Sequence, residues 1–187
     1  MGNHYTAKYP NDTDAAILTG WNDNINLSVV LAAFDPVFIP AAIVDPARFG
    51  NLSDGYLEVD NFTVFKEVFY GGEYDPNLAA LDYNLTATGA FGELTDVGVE
   101  AFVSSPAYVK PVFAMVGQGD FILCQNPDGT IECPDAASIV EHSASLYSNA
   151  AVFDAFIVPY AGHCRIFHEH AKDGSFAAHA WLSQQGF

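Results

Sequence analysis

Residues 111–120 read PVFAMVGQGD and carry the clearest structural pattern of the sequence. A continuous apolar run follows the proline, which predicts a strand buried on both faces. A second such run, residues 152–159 (VFDAFIVP), precedes the turn YAGH. Between the two strands, residues 134–142 have helical spacing of apolar side chains, with Asp135 in the first turn. Strand, helix and strand in this order predict parallel strands joined by a helical crossover.

The rest of the chain divides into a few core elements and a long insertion. Residues 15–20 form a short apolar run that predicts another buried strand, and residues 1–9 are typical of the end of a helix. A helix is expected over residues 166–184, with core-like spacing of Phe176, Ala180 and Trp181. Residues 21–105 hold many aromatic residues and repeated helix breakers. We expect an α/β fold with an irregular, mostly helical insertion at 21–105.

The charge balance excludes two classes of partner. The 187 residues include 23 Asp and Glu against 6 Lys and Arg, a net charge of −17. Nucleic-acid phosphates and anionic membrane surfaces attract clustered cations, so no nucleic-acid partner is expected. No apolar run reaches the roughly 18 residues of a membrane span. Because 50% of the residues are hydrophobic, the chain can build a sizeable core.

Two polar residues directly follow the predicted strands. Asp120 ends the first glycine-rich turn and His163 ends the second. The carboxyl ends of neighbouring parallel strands lie at one edge of a sheet, so we expect the two side chains to lie close together. An aspartate that holds a histidine in one tautomer is half of a nucleophilic triad. The alternative is a turn-capping aspartate beside an ordinary surface histidine.

These motifs, and their order along the chain, resemble those of α/β hydrolases. VFAMVGQGDFI (112–122) is similar to the strand that carries their triad acid. IVPYAGHCRIFHEHA (157–171) is similar to their final strand, Gly-His loop and C-terminal helix. AKYPNDTDAAILTGW (7–21) is similar to the segment that enters their sixth strand. DGYLEVDNFTVFKEVFYGG (54–72) resembles the lid of secreted fungal members.

The resemblance implies roles and domain limits. Asp120 would be the triad acid and His163 the general base. Residues 1–20 and 106–187 would form part of the hydrolase core, and residues 21–105 would form the lid. The substrate would be a small-molecule ester or a peptide, and no cofactor is expected.

The nucleophile of the triad is not identified in this sequence. In α/β hydrolases it lies in a Gly-x-Ser-x-Gly turn between a strand and a helix, and this motif does not occur here. The nearest match, residues 51–55 (NLSDG), has no such context, and Ser53 is also the third residue of a sequon. By the resemblance, Met1 falls inside the helix that follows the nucleophile. We therefore expect the nucleophile and a signal peptide to be encoded upstream.

A metal site is the alternative interpretation of residues 159–170 (PYAGHCRIFHEH), which carry three histidines and a cysteine. The spacing fits no paired-ligand zinc signature. On a helix that starts near residue 166, His168 and His170 would point roughly 200° apart. We therefore expect no metal. His168 and His170 should face solvent, or His168 the rim of the site, and Cys164 should be a buried unpaired thiol.

Five sequons indicate the secretory pathway, where about one is expected by chance. They stand at Asn11, Asn26, Asn51, Asn61 and Asn84. Cys124 and Cys133 flank turn-forming residues that could bring them within bridging distance, or they could remain two thiols. The oxidising compartment that the sequons indicate favours a disulfide and a secreted, extracellular glycoprotein.

Two functions remain open. The first is a secreted serine hydrolase that cleaves an ester or amide, of which this chain is the C-terminal portion. The second is a non-catalytic acidic glycoprotein that keeps the hydrolase architecture for binding. In either case, part of a sheet exposes an unpaired strand edge, so we expect the isolated chain to associate and to lack hydrolytic activity.

Overall fold

We describe a computed structural model of the protein, which covers residues 2–25, 27–100, 102–125, 130–131, 133 and 135–187. The strands are β1 (Ala16–Thr19), β2 (Phe38–Pro40), β3 (Tyr56–Val59), β4 (Gly89–Ala90), β5 (Val112–Gly117) and β6 (Phe153–Val158). The α-helices are α1 (Gly2–Lys8), α2 (Leu27–Phe34), α3 (Ala41–Val44), α4 (Pro46–Phe49), α5 (Phe62–Phe69), α6 (Pro76–Leu85), α7 (Phe91–Glu100), α8 (Ala136–Ser143) and α9 (Ala171–Gln184). Short 3-10 helices lie at Ala144–Tyr147 and Arg165–Phe167.

The main sheet is parallel, with the strand order β1-β5-β6. Ala114 at its centre lies opposite Leu18 of β1 and Ala155 of β6. All six residues of β5 are buried because the strand has neighbours on both sides and packed side chains on both faces. Helix α8 forms the crossover from β5 to β6. The predicted α/β fold and its three strands are confirmed, but only β5 is buried throughout: β6 is half-buried up to Val158, and Thr19 at the end of β1 is exposed.

The two faces of β5 bury different clusters. Val112, Ala114 and Val116 face a cluster that includes Trp21 and Tyr147. Phe113 and Met115 point the other way, toward α9, where the Trp181 ring stacks on Phe113 with 5.1 Å between ring centroids. The alternation follows from the two-residue period of a strand. It places α8 and α9 on opposite faces of the sheet, which leaves the carboxyl ends of the strands to the loops.

The C-terminal helix begins later than its sequence pattern predicts. His168 has extended backbone angles and forms a bridge to Tyr74, so α9 starts only at Ala171. The predicted burial of Trp181 is confirmed, since it is 4% exposed. The predicted burial of Phe176 and Ala180 is wrong, because both are exposed. A shift of the helix start rotates the buried face, which is instead formed by Gly174, Ala177, Ala178, Trp181 and Leu182.

The insertion, residues 21–105, contains a small antiparallel sheet as well as helices. Helices α2 to α7 confirm the mostly helical character that the sequence predicts for this segment. The sequence does not predict the sheet, which has the strand order β2-β3-β4, because its strands are short and separated by helix breakers. The starts of α5 and α6 follow from capping: Asn61 accepts from the Val64 amide and Asp75 from the Asn77 amide. Among the described residues, no helix is long and apolar enough to cross a membrane.

Candidate active site

Asp120 lies in the turn that follows β5 and has no exposed surface. Its Oδ1 accepts two main-chain hydrogen bonds, from Ile122 N at 2.9 Å and from Leu123 N at 3.1 Å. These amides compensate the burial of the carboxylate and fix its orientation. Its second oxygen, Oδ2, takes no part in these two bonds and faces the loop that follows β6.

His163 lies in the loop that follows β6, and its ring meets that second oxygen. The distance from His163 Nδ1 to Asp120 Oδ2 is 2.9 Å. Burial lowers the pKa of His163, but the Asp120 charge and its hydrogen bond more than offset this, so the pKa is raised above 6.5. A carboxylate acceptor at Nδ1 keeps a proton there, which leaves Nε2 with a lone pair that can accept a proton.

Close backbone contacts between glycines make this geometry possible. A Cβ atom on Gly117 would lie 2.2 Å from Gly162 O, and one on Gly162 would lie 2.4 Å from Gly71 N. Real side chains do not fit at such distances, so the two strand-end loops and the end of α5 meet only because these residues are glycines. Gly20, after β1, has φ +60 and sits against the His163 ring.

A cavity of about 700 Å³ opens beside His163. The core contributes Trp21, Ile122, Leu123 and His163 to its wall. The insertion contributes mainly apolar side chains, among them Val30, Leu31, Phe34, Phe38, Phe69 and Leu94. Asp35 is the carboxylate of the wall, and no lysine or arginine of the described residues lines it. The arrangement places a histidine-aspartate pair at the side of a largely apolar chamber.

His168 is buried next to the His163 loop, so the prediction that it faces solvent is wrong. It is 4% exposed. Its Nε2 accepts from Gly162 N at 3.0 Å and its Nδ1 lies 3.1 Å from Cys164 O. Burial lowers its pKa below 6.5. The local sequence does not distinguish His168 from His170, because the burial of His168 depends on aromatic residues of the insertion.

Among the described residues, no group of three or more His, Cys, Asp and Glu side chains is arranged to hold a metal ion. His163 bonds to Asp120, His168 to main-chain groups, and His170 to Asp173 at 2.9 Å. Cys164 is free and half-buried rather than fully buried. Burial, with the Asp82 and Asp120 charges, raises its pKa to about 12, so it is a protonated thiol.

A disulfide between Cys124 and Cys133 closes the loop behind Asp120, which confirms that predicted bond. Two main-chain hydrogen bonds attach the bridged cysteines to the turn that carries Asp120. Cys124 N donates to Asp120 O at 2.8 Å, and Cys133 N donates to Gln118 O at 2.9 Å. The bridge therefore braces the turn that presents the carboxylate.

The other predicted residues lie away from this cavity wall. Ser53 is in an exposed turn before β3, with no strand-to-helix context. Four sequon asparagines are exposed: Asn11, Asn51, Asn61 and Asn84. Asn26 lies outside the described residues. Exposure leaves the four accessible to glycosylation, which stays a prediction.

Solved structures share this architecture. The chain is similar to an alpha/beta hydrolase fold protein from Chitinophaga pinensis (TM-score 0.50, 11% identity), over 99% of this chain and 61% of that one. It is similar to BpoC from Mycobacterium tuberculosis (TM-score 0.52, 13% identity), over 99% and 63%. It is also similar to Rv0554 from Mycobacterium tuberculosis (TM-score 0.51, 12% identity), over 97% and 61%.

The likeness concerns the fold. The chain has part of the α/β hydrolase fold, as the resemblance in its sequence predicts, and it spans 61–63% of the length of these structures. The sequence matches no protein-family model and no curated protein.

Proposed function

We propose that this chain supplies the acid, the general base and the substrate chamber of a secreted hydrolase that cleaves an ester or amide bond. The observation that carries the proposal is the 2.9 Å contact between His163 Nδ1 and buried Asp120, beside a cavity of about 700 Å³. The serine of the triad would come from a segment outside these residues, which contain no Gly-x-Ser-x-Gly motif.

The proposed reaction follows from the geometry. His163 Nε2 takes the proton of the serine hydroxyl while the serine oxygen attacks the substrate carbonyl carbon. The same proton then passes from Nε2 to the leaving alcohol or amine as the bond to it breaks, and an acyl-enzyme remains. Water then attacks the carbonyl carbon of the acyl-enzyme while Nε2 takes a proton from it. That proton returns to the serine oxygen as the acyl bond breaks, and the carboxylic acid leaves. Asp120 keeps the proton on Nδ1 and stabilises the imidazolium that forms.

The cavity wall points to a substrate with a bulky apolar group and no negative charge. Its side chains are mostly aliphatic or aromatic, and Asp35 would repel a carboxylate while no described lysine or arginine attracts one. Neutral esters should therefore react faster than esters of the same size that carry a free carboxylate. Replacement of Asp35 by Asn should narrow that difference.

Secretion is supported by two independent features. Four exposed sequons are accessible to oligosaccharyl transfer, and the disulfide needs an oxidising compartment to persist. Deglycosylation of the native product should therefore lower its apparent mass on a gel.

A fluorophosphonate probe tests the catalytic proposal on the native product that contains this chain, because such probes need an activated serine. We expect one labelled serine outside these residues. Replacement of His163 by Ala should slow labelling roughly 10²–10⁴-fold. Asp154→Asn is the control, since that carboxylate accepts from Trp181 Nε1 and takes no part in the site.

A binding module is the second candidate, because no described serine hydroxyl bonds to His163 while the apolar chamber is present. It predicts a native product that binds a neutral apolar dye such as Nile red without any fluorophosphonate labelling. Trp21 lines the chamber, so dye binding should quench its emission. Labelling of a serine that depends on His163 excludes this candidate.

A further inference from the structure

His168 bonds to the main chain on both sides of His163. Its Nε2 accepts from Gly162 N at 3.0 Å, and its Nδ1 lies 3.1 Å from Cys164 O. Gly162 and Cys164 are the residues immediately before and after His163. One buried ring therefore holds both peptide units from which the candidate base projects.

The bonding pattern determines the tautomer of His168. The Gly162 amide has a hydrogen to give, so Nε2 must carry a lone pair and no hydrogen. A carbonyl oxygen can only accept, so Nδ1 must carry the hydrogen that points to Cys164 O. His168 is thus neutral with its proton on Nδ1, which agrees with the lowered pKa that its burial causes.

The same ring contacts the end of α5 and the segment after it. It stacks on Tyr70 with 5.5 Å between centroids and meets the edge of Tyr74 at 6.0 Å. The Tyr70 hydroxyl in turn donates to Asp82 on α6 at 2.6 Å. Nearby, Cys164 N donates to Phe69 O at 2.9 Å. His168 is therefore one of the residues that fasten the His163 loop to the insertion, beside main-chain bonds such as Cys164 N to Phe69 O.

We propose that His168 is a positioning residue that holds the backbone around His163 so that its ring keeps the contact to Asp120. His168 is not among the residues that line the cavity, so it acts through His163. The link to catalysis rests on the proposed function, whereas the link to the His163–Asp120 contact does not. A small displacement of a general base lowers the reaction rate strongly. A buried residue that fixes the backbone on both sides of His163 would prevent such a displacement.

Nuclear magnetic resonance on the isolated chain tests the proposal through the His163 ring itself. In His168→Leu we expect the hydrogen-bonded His163 Nδ1 proton to broaden or vanish, and the His163 pKa to fall toward 6.5. In His168→Gln the side-chain oxygen can take the place of Nε2 as acceptor, so both signals should be retained. A His163 ring that is unchanged in a folded His168→Leu variant overturns the proposal.

Loss of stability alone must be separated from loss of position. Val68→Ala is the control, because Val68 is buried in α5 at 1% exposure and its apolar side chain forms no hydrogen bond to the loops of Asp120 and His163. It should lower stability without moving the His163 signals. Equal changes in Val68→Ala and His168→Leu would show a merely structural role.

A measurement on the unmodified chain covers the case in which His168→Leu does not fold. A long-range proton–nitrogen spectrum should show the His168 proton on Nδ1, and the Gly162 amide should exchange slowly with solvent. A proton on Nε2, or fast exchange of that amide, overturns the proposal. Absence of fluorophosphonate labelling would contradict the proposed hydrolase and leave these ring measurements untouched, so the two failures are distinguishable.

Discussion

At the scale of single residues, the structure divides the histidines by what their rings meet. His163 meets a carboxylate, and its pKa is raised, whereas His168 meets main-chain groups, and its pKa is lowered. The strand pattern of the sequence is enough to predict that His163 and Asp120 lie on adjacent loops. The role of His168 could not be predicted, because it depends on Tyr70 and Tyr74, which are distant in sequence and approach only in the fold.

The His163–Asp120 pair predicts a pH dependence of stability. Because the folded pKa of His163 is raised, its stabilising effect is complete below the unfolded value near 6.5 and is lost as the pH rises through the folded pKa. In Asp120→Asn the stability should no longer fall as the pH rises through this range. The free energy of unfolding at low pH should be about 1–3 kcal/mol smaller than in the unaltered chain. Urea unfolding at pH 6 and pH 9 measures both effects, with His163→Gln as a second variant that should lose the same pH dependence. An unaltered dependence in Asp120→Asn would contradict the assignment.

The close approach of glycines predicts a second residue-scale effect. In Gly162→Ala the new Cβ would lie 2.4 Å from Gly71 N and 2.9 Å from Phe69 O, so the loops must separate. We expect a loss of about 1–3 kcal/mol, typical of an overpacked site. Gly92→Ala on α7 is the matched control, since no heavy atom lies within 4 Å of its new Cβ. Denaturant unfolding of the two variants compares them, and equal stabilities would be inconsistent with the contact.

At the scale of elements, continuous apolar runs in the sequence are enough to predict the main sheet. The start of α9 and the sheet of the insertion depend on tertiary contacts and could not be predicted in this way. Strand β5 is apolar throughout, so its burial follows from its sequence. Helix α9 has the composition of a helix from residue 166 onward, yet the bridge between His168 and Tyr74 delays its start. Among the residues that the structure describes, the strands of the insertion pair only with one another, and none is long enough to show a clear alternation.

The disulfide loop gives a prediction at this scale. The bridge closes a separation of nine residues, so its reduction should cost about 2–3 kcal/mol by loss of chain constraint. Unfolding curves with and without reductant measure this cost. The Cys124→Ala, Cys133→Ala double variant is the control, because reductant should not change its stability. Thiol titration of the unfolded chain should give one free thiol before reduction and three after it, and three before reduction would refute the bridge.

At the scale of the whole molecule, the main sheet has an open edge. Among the described residues β1 and β6 each pair with β5 alone, so both are edge strands, and a further parallel strand beside β1 would extend the sheet. Unpaired edges favour association between chains. The net charge of −17 opposes association, and salt screens that repulsion. The two effects together make the behaviour of the isolated chain depend on ionic strength.

We therefore expect the isolated chain to be monomeric at low salt and to associate as salt is added, which light scattering coupled to size-exclusion chromatography measures. Thr19→Lys places a charge on the exposed end of β1 and should suppress association, since edge lysines block strand pairing. Ser175→Lys on the exposed face of α9 adds the same charge away from the edge, so it should change association little. If both variants increase association equally, net charge and not the β1 edge controls it, because each added lysine reduces the negative charge that keeps the chains apart. If Thr19→Lys alone suppresses association, the β1 edge is the surface through which chains associate.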